Sequence, residues 1–133
     1  MDKINIIKEW LDFAEKDIAS AKFLLGMRPV PLEIVCYHCE QAAEKALKCY
    51  LIFKDSEPPR THDLRLLCKI CSNIDQSFAE ISQCCINLTP YGIQPRYPFE
   101  IEINDSDMQK AIADADQVLI FIQEKLKDAK IIS

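Results

Sequence analysis

The sequence predicts an all-α fold, an antiparallel up-and-down bundle of four to five helices. Three observations carry this. Apolar residues recur at spacings of three and four in every long segment, the period of a helix with one buried face. Only two glycines occur, and both sit at breaks, Gly26 before "MRPVP" and Gly92 in "PYGIQP". No stretch alternates with period two, apart from the short "FEIEI" at Phe99–Ile103. The 133 residues are the size of one ordinary domain, so 1–133 is read as a single unit, and an apolar content of 49% suffices for a core.

Residues 3–26 read as the first helix, with the seam Ile4, Ile7, Leu11, Ala14, Ile18, Ala21 and Leu25. "MRPVP" breaks it, and Pro31 suits the first position of the next helix, where its missing N–H is no loss. That second helix runs from about 31 to 55. Its seam is Val35, Cys39, Ala42, Ala46, Cys49 and Phe53, with Ala43 and Tyr50 beside it. Pro58 and Pro59 end it. Thr61 is the expected cap of a third helix over 62–72, with Leu64, Leu67 and Cys71 inward. Asp75 caps a fourth that buries Phe78, Ile81, Cys85 and Leu88 and ends near 88. A long loop, "LTPYGIQPRYPFEIEIND", follows; loops of this length are often functional. The last helix is expected over 105–130, with Ser106 and Gln109 at capping-box spacing and the seam Met108, Ala111, Ala115, Leu119, Ile122, Leu126 and Ala129.

The net charge of −5 argues against broad, nonspecific nucleic-acid binding, though not against a local basic site. The charged N-terminal stretch shows no signal peptide, and no apolar run is long enough to span a bilayer. With seven cysteines, an odd number, free thiols in a reducing cytoplasm are the expectation. Two Cys-x-x-Cys pairs, Cys36–Cys39 and Cys68–Cys71, raise the question of zinc. Both lie inside helical segments rather than in tight turns, and Cys39, Cys49, Cys71 and Cys85 fall on core seams. They are read as small apolar filler, with no metal and no cofactor implied.

The other side of helix 2 carries His38, Gln41, Lys45 and Lys48 at spacings of three, four and three. Two readings stand: a surface for an anionic ligand, or a solvated helix face with Glu44–Lys48 as an intrahelical ion pair. "WLDFAEKDIASAKFLL", "CYHCEQAAEKALKCYLIF", "PPRTHDLRLL" and "PRYP", in this order over nearly the whole chain, resemble the HEPN domain (higher eukaryotes and prokaryotes nucleotide-binding) of the small stand-alone prokaryotic type. The resemblance implies an all-α bundle that commonly dimerises. It also implies a cytoplasmic protein paired with a minimal nucleotidyltransferase in a toxin–antitoxin or defence module. The polar positions that match are His38, Gln41, Lys45 and Lys48, then Arg60 and His62 in "RTHD", then Arg96 and Tyr97 in "RYP". Nucleotide or RNA is the implied ligand, with arginine on phosphate and a ring free to stack on a base.

Many HEPN proteins are metal-independent ribonucleases that use an Arg with a His four to six residues later. That spacing is missing here: Arg60 precedes His62 by two positions, Arg28 precedes His38 by ten, and no His follows Arg96. A binding module is therefore preferred over an enzyme. The alternatives are a ribonuclease with His38 or His62 as general base, and a structural partner modified by the nucleotidyltransferase at Tyr50, Tyr91 or Tyr97. Trp10, Phe13 and Phe23 lie off the helix 1 seam and are candidates for the dimer contact.

Overall fold

The structure is a computed structural model and describes residues 2–92 and 102–133. Among the described residues five α-helices make up a helical bundle, α1 (Lys3–Phe23), α2 (Leu32–Phe53), α3 (Leu64–Ile74), α4 (Ser82–Leu88) and α5 (Asp105–Asp128), and there is no strand. Short 3₁₀ turns at Leu24–Gly26, Gln76–Ile81 and Thr89–Gly92 finish or link them.

Most of the expected seam residues are buried, while Leu25 and Phe53 are half-buried. Ile7, Leu11, Ala14, Ile18 and Ala21 of α1 are buried, while Ile4, one turn earlier, is 46% exposed. α1 runs against α5 head to tail. Lys22 Nζ reaches Asp116 Oδ1 at 3.0 Å, and Gln123 Nε2 donates to Glu15 Oε2 at 2.8 Å. α2 is the central helix and packs against α1, α3, α4 and α5. On one side the Cys49 thiol donates to the Ile7 carbonyl at 3.3 Å, which places Ala42 and Ala46, on the same face, against α1. On another side Tyr50 packs on Phe78 (centroids 4.6 Å apart), and Phe78 meets Phe121 of α5 edge-on at 4.9 Å. α2 is consequently buried nearly all round, and Glu40, Glu44 and Lys48 are buried with it.

Helix ends differ in detail from the sequence expectation. α3 is capped by Asp63, whose carboxylate accepts from the Arg65 N–H, rather than by Thr61; Thr61 Oγ1 instead accepts from the Asp63 N–H. Asp75 caps as expected, but through a 3₁₀ turn that precedes α4. α5 carries a capping box, formed by Asn104 and Asp107 and not by Ser106 and Gln109. At its far end the Ile131 N–H bonds back to Leu126 O and the Lys130 N–H to Lys127 O, both at 2.9 Å, a Schellman closure. The closing residue, Lys130, has φ 61°, a conformation that usually goes to glycine and costs a side-chain-bearing residue about 1–2 kcal/mol. Ala129, expected on the seam, is exposed there.

Candidate functional site

The polar stripe of α2 holds His38, Gln41 and Lys45, half-buried, and Lys48, buried, and each side chain meets a carboxyl group. His38 Nδ1 stands 3.0 Å from Asp17 Oδ1, and Lys45 Nζ donates to the other Asp17 oxygen. Asp17 comes from α1, so two members of the stripe converge on one acid of the neighbouring helix. Gln41 Nε2 donates to Glu40 Oε1 at 2.8 Å. Lys48 Nζ donates to Glu44 Oε2 at 3.2 Å, the expected intrahelical pair, but in a setting where both side chains are buried.

The second segment meets the first at Glu44. His62, from the "RTHD" stretch before α3, places Nδ1 2.8 Å from Glu44 Oε1. Its side chain is 65% exposed, so the far edge of the imidazole faces outward. Beside it lies a pocket of about 400 Å³ lined by His62, Asp63, Arg65, Ile86, Thr89, Pro90 and Gly92. The Arg65 guanidinium is held by Asp63 through Nε and NH2, at 3.1 and 3.3 Å. Arg60 is exposed and makes no ion pair among the described residues. Arg96 and Tyr97 lie outside the described residues.

Beneath the stripe, Glu40 is fully buried, and its Oε2 has no hydrogen-bond partner among the described residues. Gly92 backs onto it: a Cβ there would stand 2.8 Å from that oxygen, so only glycine fits without a shift. Burial chiefly, and then the charge of Glu44, push the Glu40 carboxyl up to about 8, against the pull of the Gln41 hydrogen bond and of Lys48.

A HEPN domain model matches residues 7–126, from the first fully buried seam residue of α1 to the last of α5. The chain belongs to the HEPN family. It is similar in fold to the archaeal HEPN homologue ST0689, at 24% identity and a TM-score of 0.70, over 90% of this chain and 97% of that one. It is likewise similar to TT1696 from Thermus thermophilus, at 22% identity and a TM-score of 0.76, over 90% of this chain and 98% of that one. A comparison with curated proteins finds no match.

In this HEPN domain, two site residues escaped the sequence reading, Asp17 and Glu40, while Glu44 was expected only as the ion-pair partner of Lys48. Glu40, Glu44 and Lys48 follow one another at intervals of four along α2, a spacing that sets them on one side of the helix but does not state that this side is buried. All seven cysteines are free and buried, and burial pushes Cys39, Cys49 and Cys71 up to about 12, far from thiolate chemistry. Among the described residues no three His, Cys, Asp or Glu side chains cluster as metal ligands, and no helix is long and apolar enough to cross a membrane. Of the candidate acceptor tyrosines, Tyr50 is buried and Tyr91 half-buried, while Tyr97 lies outside the described residues. The pocket joins an apolar wall, Ile86 and Pro90, to a rim of imidazole, guanidinium and hydroxyl groups. The Asp63 carboxylate lines the same pocket beside the guanidinium it holds.

Proposed function

We propose that this HEPN domain is a nucleotide- or RNA-associated binding module. It works as a homodimer beside a minimal nucleotidyltransferase, in a pair of the toxin–antitoxin or defence type. The observation that carries the reading is the junction at Glu44, where the α2 stripe and the "RTHD" segment meet beside a pocket of nucleotide-binding size. Lys45 and Lys48 are each tied to a carboxylate, so they act as scaffold for the site. Direct ligand contacts fall to His62, Arg60 and the "RYP" pair, Arg96 and Tyr97. His38 and Gln41 hold Asp17 and Glu40 in place.

The Glu44–His62 pair also favours a second reading, because a carboxylate that orients an imidazole is half of a general-base arrangement. Without the Arg-x4–6-His spacing, binding remains the first choice. The test titrates a nucleoside triphosphate and a short RNA against wild type, His62→Ala and Arg60→Ala. Losing one charge-assisted contact weakens binding by about tenfold or more. Wild-type affinity in both variants sinks the proposal. RNA cleavage that disappears in His62→Ala would replace binding with catalysis.

A further inference from the structure

The base of the bundle where α1 begins and α5 ends carries a pocket of about 510 Å³, lined by Lys8, Lys127, Lys130, Ile131, Ile132 and Ser133. We propose that Lys8, Lys127 and Lys130 form a site for a chain of phosphates, either the backbone of an RNA strand or the polyphosphate of a free nucleotide. This rests on the nucleotide- or RNA-associated reading above and adds a second contact at the opposite end of α1 from His38.

The first ground is charge. The chain is acidic, with a net charge of −5, and its lysines are mostly spent on carboxylates. Lys3, Lys16, Lys22, Lys45, Lys48, Lys110 and Lys125 all pair with an Asp or Glu. Lys8, Lys127 and Lys130 are not in any ion pair among the described residues, yet they share one pocket. Three lysines that line one pocket concentrate positive charge beyond the partial negative charge of the α5 C-terminus, and a bound polyanion takes up the excess.

The second ground is the backbone. Lys130 closes α5 in the left-handed conformation where glycine is the unstrained choice. Strain of this kind concentrates at functional sites. The Ile131 hydrogen bond to Leu126 O, and the half-buried Ile131 and Ile132 behind it, fix the turn and therefore where the Lys130 stem begins. Lys127 has a structural reason to be there, since a cation in the last turn offsets the helix dipole. Lys130, at the same helix end, shares that reason, whereas Lys8, in the first half of α1, does not.

A fluorescence titration of a homopolymeric oligouridylate over a series of salt concentrations tests this on Lys8→Gln, Lys127→Gln and Lys130→Gly. Lys69→Gln serves as control, an exposed lysine outside the pocket. Each lysine that meets a backbone phosphate contributes about 0.7 to the slope of log affinity against log salt for a single strand, so the triple variant should lose about 2 from that slope. Lys130→Gly should bind more weakly while melting at a higher temperature, a combination that a purely structural role for the residue does not give. Wild-type affinity and slope in the triple variant overturn the site and leave the nucleotide reading standing. If wild type ignores oligouridylate, but inorganic tripolyphosphate shifts the amide resonances of Lys8, Lys130 and Ile131, the phosphate site stands and the RNA source is excluded. No response to either probe overturns both.

Discussion

Glu40 shows how one side chain can set the pH response of the molecule. It is buried, one of its oxygens lacks a partner among the described residues, and its carboxyl is pushed up to about 8. In the unfolded chain it titrates near 4.5. The unfolded state therefore gives up this proton first as pH rises. The Glu40 contribution to stability is full below 4.5, shrinks as pH climbs, and is gone once pH passes about 8. The slope is about 1.4 kcal/mol per pH unit inside that window. Urea unfolding from pH 5 to pH 9 should show wild type losing stability with this trend and Glu40→Gln following a flatter line. Parallel lines for the two proteins would show that Glu40 does not hold its proton. A charged residue scores as solvent-facing in a count of apolar spacing, which is why the burial of Glu40 and Glu44 did not show in the periodicity. Their burial follows from the number of helices that α2 touches, which one helix's own pattern does not state.

The helices themselves were legible because each buries a face at regular spacing; their ends were less so. "NDSDMQ" offers four residues able to cap, and the sequence pattern pointed to Ser106, whereas Asn104 and Asp107 form the reciprocal pair. "RTHD" offers two, and Asp63 wins over Thr61. In both places a run of short polar side chains supplies several equivalent caps, and packing of the following seam decides among them. Asn104→Ala should cost about 1 kcal/mol of stability by denaturant unfolding, while Ser106→Ala stays near wild type. The reverse order would return the cap to Ser106. The same logic divides the α2 stripe: its spacing was evident, but its environment, carboxylates supplied by α1 and by α2 itself, was not.

At the scale of the whole molecule, exposed large apolar residues are spread over α1, α3, α4, α5 and the turn at Met27, and the two aromatic ones, Phe13 and Phe23, both lie on α1. Phe13 is 56% exposed and Phe23 83%, with Trp10 half-buried beside Phe13 in a pocket that also includes Lys45. The proposed homodimer would cover them. Light scattering at micromolar concentration should give twice the chain mass for wild type and the single mass for a Phe13→Ser, Phe23→Ser double variant that keeps its helical circular dichroism. A wild-type monomer would end the dimer proposal. The candidate residues were legible one by one, and their neighbours were not. The polar positions of α2 and of "RTHD" were named in the sequence, but the meeting of His62 with Glu44 and of Lys45 with Asp17 depended on how the helices are set side by side.

The buried thiols give the molecule a set of built-in reporters. Cys36, Cys39 and Cys49 belong to α2, Cys68 and Cys71 to α3, and Cys84 and Cys85 to α4, all shielded from solvent, while α1 and α5 have none. A water-soluble alkylating reagent can reach them only when those three helices separate from their neighbours. The order in which the seven take up label, followed by mass spectrometry on the unmodified sequence, would chart which part of the bundle opens first.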